Sequence, residues 1–160
     1  MIGTESRSSG PQHGNEEVFS LAYVSRPSRR LESLEMNELQ RSSRTKNRSL
    51  SITGLLIWDD EWILQVLEGD EFSVRDLLQT IIGDERHEDL KVFAEAVSHP
   101  RRLSSWNMVV RGLRYQPPKA RDTFRGLAES LFNTPIMLEL TDSRVFTFAN
   151  LIRLFDNESK

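Results

Sequence analysis

The chain has 160 residues, a formal net charge of −3 and no cysteine. Such a length holds one domain with a true core plus roughly 30–50 residues of appendage, the charge does not favour direct binding to nucleic acid, and the absence of cysteine excludes disulfides and thiolate chemistry. No apolar run approaches the ~18 residues that span a bilayer and residues 1–17 contain no signal-peptide core, so a soluble, cytoplasmic protein without membrane contact is expected.

Residues 1–17, rich in Ser, Gly and Glu, are expected to form a disordered tail. Val18 to Ser25 reads as a strand, stopped by Arg26-Pro27-Ser28. Leu31, Leu34 and Leu39, set among polar residues, fit an amphipathic helix that ends in the polar run Ser42 to Ser49. Asn47, close before the next strand, reads most simply as a turn residue.

Ile52 to Trp58 and Trp62 to Leu67 then form a predicted hairpin, with Asp59-Asp60-Glu61 as a solvated acidic turn. Gln65 interrupts the second run. Its neighbours Ile63, Leu64, Val66 and Leu67 suit a strand covered on both faces, where an unpaired amide costs roughly 1–3 kcal/mol. Three candidates could answer it: Tyr23, Asn47, or a bound polar ring.

Val74, Leu77, Leu78, Ile81 and Ile82 recur with helical spacing, and Gly83 ends that helix. Leu90 to Val97 and Trp106 to Val110 read as two further strands, separated by a loop, His99-Pro100-Arg101-Arg102, that carries a strand breaker. The order βαββαββ fits an α+β, ferredoxin-like sandwich: a five-stranded mixed sheet with two helices on one face. Lys119 to Phe132 predicts a further helix, Pro135 interrupts it, and Val145, Phe148, Leu151, Ile152 and Phe155 mark another. These two C-terminal helices are expected to cap the open sheet face or meet a partner.

Other chemistries find little support. His13, His87 and His99 lack ligand spacing, and no Gly-rich phosphate loop, G-x-S-x-G elbow or H-E-x-x-H occurs. Taken singly, Tyr23, Gln65, Trp106 and Met108 would pass for core or edge residues. Asp84, Arg86 and His87 would pass for a solvated helix end.

Together they form a known pattern. Leu21-Ala22-Tyr23-Val24-Ser25-Arg26, Asn47 with Ile52-Thr53-Gly54-Leu55-Leu56, Leu64 to Gly69, Asp84-Glu85-Arg86-His87 and Ser105-Trp106-Asn107-Met108 occur in the order of the BLUF domain. The chain resembles this flavin-based blue-light sensor over roughly residues 18–111.

The resemblance implies a flavin, FAD with FMN or riboflavin as substitutes, between the two core helices. Tyr23 matches the photoactive tyrosine and Gln65 the switching glutamine. Asn47 matches the residue that meets the ring's carbonyl and imide edge, while Asp84, Arg86 and His87 match its ring and ribityl side. Ser43, Lys46, Ile52 and Leu67 are placed at the flavin as well, and Trp106 and Met108 on the signalling strand. Thr80 stands where several relatives carry a basic or imidazole group, which bears on FAD against FMN.

The resulting expectation is a short photosensory adaptor: residues 18–113 as the flavin unit, residues 114–160 as a helical extension, and no catalytic output domain. It would act on a downstream effector protein, as a homo-oligomer. The alternatives are a flavin-dependent reductase and a cofactor-free ferredoxin-like interaction module.

Overall fold

Strand β1 (Glu17–Pro27) buries every residue from Val18 to Ser25, which requires cover on both faces of the sheet. The computed structural model describes residues 17–103, 107–135 and 137. Within them β1 is followed by α1 (Ser33–Ser49), β2 (Thr53–Trp58), β3 (Ile63–Gly69), α2 (Glu71–Ile82), β4 (His87–Pro100), β5 (Val109–Gly112) and α3 (Pro118–Phe132).

The five strands lie in the order β4-β1-β3-β2-β5. All neighbours are antiparallel except β2 and β5, which run parallel. The sheet is therefore mixed, with the expected ferredoxin-like arrangement, and β3 is its middle strand.

Alternation along the strands divides the core in two. On one face, Phe19, Leu21, Tyr23 and Leu67 pack with Val74 and Leu78 of α2, and Leu56, Trp58 and Ile63 pack with Met36 of α1. On the other, Ala22, Val24, Leu55, Ile57 and Leu64 meet Phe124, Leu127, Ala128 and Leu131 of α3. Thus α3 supplies the cover that the sequence required. The second capping helix, predicted around residues 145–155, lies outside the described residues, as do Trp106 and residues 1–16 of the tail.

Helix α2 starts where Asp70 accepts the Ser73 N–H at 3.1 Å and ends at Gly83, as capping chemistry dictates. Helix α1 departs from its reading. Leu34 is 71% exposed, and the inward stripe is Met36, Leu39, Ser43 and Asn47, of which Met36 and Asn47 are fully buried. Two of these four positions are polar, so apolar periodicity could not reveal the true face. Asn47 consequently sits in the last helical turn rather than in a turn before the strand.

Three loop assignments also change. β4 runs through His99 to Pro100, and Pro100 is tolerated there because it ends an edge strand. β5 begins at Val109, so Met108 precedes the strand. The Arg101-Arg102 part of the predicted loop is anchored to the sheet: Arg101 Nη1 donates to Thr53 Oγ1 at 2.9 Å, and buried Glu68 accepts the backbone N–H groups of Arg102 and Leu103 at 3.0 and 2.8 Å.

The acidic hairpin turn is not wholly solvated either. Asp59 is 1% exposed, accepts the Glu61 and Trp62 N–H groups at 2.7 and 2.8 Å, and pairs with Arg125 of α3 at 2.6 Å. Its carboxylate ties α3 to the β2–β3 hairpin. Replacing Phe124, which is fully buried against the sheet, by Ala should lower the unfolding free energy by roughly 3–5 kcal/mol in urea titrations. An unchanged midpoint would mean that α3 is a loose appendage.

Candidate functional site

Register brings the first pair together: Tyr23 of β1 lies directly opposite Gln65 of β3. They are 0% and 3% exposed, and the Tyr23 hydroxyl donates to Gln65 Oε1 through a short hydrogen bond. The amide's other end is poorly served. Gln65 Nε2 faces the Met108 sulfur at 3.6 Å, a weak acceptor.

Asn47 faces the same place. It is 2% exposed, its side chain lines the cavity, and its backbone carbonyl accepts the Ile52 N–H at 2.8 Å. Asn47, Gln65 and Tyr23 line one cavity of about 60 Å³ between α1 and α2, together with Ser43, Asp84, His87 and Met108. Leu39, Leu56, Leu77 and Ile81 complete its walls.

Burial pushes the Tyr23 hydroxyl far above the ordinary phenol range; the Asp84 carboxylate adds to the rise and the Arg86 guanidinium opposes it. A phenol of ordinary acidity would also be protonated at neutral pH, but here the proton is held much more firmly. Arg86 holds the Asp84 carboxyl below its usual range, through Nε at 2.9 Å and its backbone N–H at 3.0 Å.

His87 is held below the usual imidazole range by burial, against the opposing pull of Asp84. Its Nδ1 lies 2.8 Å from Ser25 Oγ, and its ring stands edge-on to Tyr23 at 5.9 Å and 76°. The tyrosine ring is thereby fixed from the side.

Of the remaining candidates, Ile52 and Leu67 are buried beside Tyr23 against Val74 and Leu78, in the core behind the cavity. Lys46 and Thr80 are exposed and are not among the residues that line the cavity. Arg86 adjoins it through Asp84, and Trp106 is outside the described residues.

Sequence reasoning missed several supports. Ser25 could have been found, because it lies two residues beyond Tyr23 on the same strand face. Gln40 and Arg44 carried no signal: Gln40 Oε1 accepts the Val110 N–H at 2.9 Å, and Arg44 Nε donates to the Met108 carbonyl at 3.0 Å. Gly54 is a necessity of space, since a Cβ there would stand 2.9 Å from the Val66 carbonyl and 3.6 Å from the Met108 sulfur.

Comparison with known proteins agrees with this geometry. The family model for BLUF, sensors of blue light using FAD, matches residues 18–109. The photoactivated adenylate cyclase subunit beta of Euglena longa is 26% identical over 140 residues, which are 86% of this chain and 16% of that protein; the chain thus spans about a sixth of this relative's length. The dark-state structure of the BLUF protein BlrB superposes with a TM-score of 0.62 at 26% identity, covering 86% of this chain and 96% of that one. BlsA in its photo-activated state has a TM-score of 0.64 at 24% identity, covering 83% and 92%, which supports the fold.

The lining fits the polar edge of a flavin ring: the amides of Asn47 and Gln65, the latter with only a sulfur facing its nitrogen, between apolar walls. The volume does not yet admit it, because ligand pockets run to roughly 300–1,000 Å³. Both α1 and α2 pack on the sheet, with the cavity between them, so a ring held there would require the two helices to separate.

The lowered pKa of His87 gives a pH prediction. Its folded value lies below the unfolded one, so the associated stability is present above the unfolded pKa of ~6.5 and is lost as pH falls through the folded value. Between pH 7.5 and 5 the urea midpoint of the unsubstituted protein should fall more than that of His87→Gln. Parallel declines would contradict the assignment.

Proposed function

The chain belongs to the BLUF family, and from that premise we propose that it is a flavin-based blue-light photoreceptor in which Tyr23 and Gln65 form the switch. The observation that supports this reading best is the buried Tyr23–Gln65 hydrogen bond, set on a cavity that the Asn47 side chain also lines. Asn47 and Gln65 would hold the ring's polar edge, Ser43 and His87 its flanks, and Leu39, Leu56, Leu77 and Ile81 its faces. A bound flavin supplies absorption of blue light and, once excited, an acceptor for one electron.

The rest belongs to the protein. Tyr23 stays protonated in the dark, because burial and Asp84 both oppose its ionisation. Loss of an electron makes a phenol strongly acidic, and the Tyr23 hydroxyl proton has Gln65 Oε1 directly within reach. An amide offers two donors and one acceptor, so reorientation or tautomerisation of Gln65 exchanges its hydrogen bonds while hardly altering its volume.

Gln65 Nε2 would then leave the Met108 sulfur, to which it is bound only weakly. Met108 is in turn tied to α1 through Arg44, and the strand after it through Gln40. We assign the output to this segment, with residues 18–113 as the sensing unit and 114–160 as the extension that relays to an effector. The output is a shift between two populated packings rather than a reaction catalysed by this chain. FAD, FMN and riboflavin share the ring that these residues would hold.

Flavin-loaded protein should be yellow and show a reversible red shift under blue light. Tyr23→Phe and Gln65→Leu should each bind flavin and lose that shift, while Asn47→Leu should weaken flavin binding by roughly 5–10-fold. A coloured protein without the shift would contradict the photoreceptor reading. Oxidation of NAD(P)H at an enzymatic rate would support a reductase instead, and protein colourless after loading a cofactor-free module.

A further inference from the structure

The inward side of α1 lines the flavin cavity, whereas its outward side carries a pattern that light absorption does not require. Leu34, Asn37, Arg41, Arg44 and Arg48 follow one another at i, i+3, i+7, i+10 and i+14, a continuous stripe along the helix. From Asn37 onward the stripe borders an open groove of about 640 Å³, to which Gln40 also contributes. Leu34, 71% exposed, stands at its N-terminal end.

Several arginines elsewhere on the surface are neutralised by carboxylates of the same chain. Arg29, Arg75, Arg86, Arg114 and Arg125 are each paired with a carboxylate of the same chain. Arg41, Arg44 and Arg48 have no carboxylate partner among the described residues, and Glu38, three residues before Arg41, does not bridge to it. Three guanidinium groups without a carboxylate partner among the described residues thus share one helix face, Arg44 being bonded to the Met108 carbonyl, on a chain whose net charge is −3.

We propose that this face of α1 docks an acidic segment of the effector protein, and that the contact is coupled to the photocycle through Arg44; the coupling rests on the photoreceptor reading above. Guanidinium forks on successive turns match carboxylates spaced along a helical partner, each able to accept two parallel hydrogen bonds. Leu34 provides an apolar anchor at one end. Nucleic acid is the poorer match, because the chain as a whole is acidic and the basic residues form one narrow stripe.

The coupling follows from one side chain with two claims on it. Arg44 Nε donates to the Met108 carbonyl at 3.0 Å, and the Met108 sulfur lies 3.6 Å from Gln65 Nε2. A partner carboxylate that draws Arg44 outward competes with that carbonyl. Movement of Met108 on switching removes the competition, so the acidic segment binds more tightly in the light.

The test uses the full chain loaded with flavin and a labelled helical peptide carrying one leucine followed by glutamates spaced to meet Arg41, Arg44 and Arg48. Its glutamine counterpart and a single-stranded oligonucleotide serve as comparison probes, and anisotropy is read in the dark and under blue light at low and high salt. The glutamate peptide should bind more tightly in the light and weaken with salt. Both comparison probes should bind about tenfold more weakly or worse. Arg41→Glu with Arg48→Glu should cost about tenfold or more while leaving the red shift intact, and Arg44→Gln should abolish the light–dark difference.

Equal affinity in the double variant, preference for the oligonucleotide, or a loss of self-association in that variant without loss of peptide binding would overturn the proposal. Equal affinities in dark and light, in protein that does red-shift, would overturn the coupling. Absence of the red shift from the unsubstituted chain would contradict the photoreceptor reading instead, and the dark-state affinities would still decide the docking surface.

Discussion

The hydrogen bond from Tyr23 to Gln65 crosses from β1 to β3 at the centre of the sheet, where both residues are almost completely buried. In such surroundings a lost hydrogen bond costs more than a formed one contributes, so the rest of the site must be arranged around this pair. His87 flanks the tyrosine ring, Ser25 positions His87, and Asp84 opposes ionisation of the phenol. The amide keeps one strong partner on its oxygen and one weak one on its nitrogen. That asymmetry is the basis of the switch proposed for it.

Helix α1 is shaped by the same demand. An ordinary helix packed on a sheet would turn leucines inward, yet this one turns Ser43 and Asn47 toward the cavity and leaves Leu34 in solvent. On the opposite face α3 closes the sheet with Phe124, Ala128 and Leu131 and is held to the hairpin by Arg125 and Asp59.

The fold was readable where apolar period and function agree. The spacing of Val74, Leu77, Leu78 and Ile81 marks α2, and Gln65 was conspicuous because it breaks an apolar strand. The sequence misleads where polar residues face inward: Leu31, Leu34 and Leu39 suggest the wrong face of α1, and Asn47 a turn residue, because no periodicity distinguishes a polar stripe that lines a cavity from one that faces water. Asp59 likewise reads as solvated, since its burial depends on Arg125, 66 residues away. Gln40 and Arg44 were invisible for the same reason, their partners being backbone groups near β5.

Everything downstream depends on whether the Gln65 amide changes partners. The most direct measurement is NMR of the flavin-loaded protein with isotope-labelled glutamine, following the side-chain carbonyl carbon and amide nitrogen of Gln65 in the dark and under blue light. Both signals should shift on illumination and return in the dark, and neither should move in Tyr23→Phe. Gln65 signals that stay fixed while the absorption shifts would contradict the account.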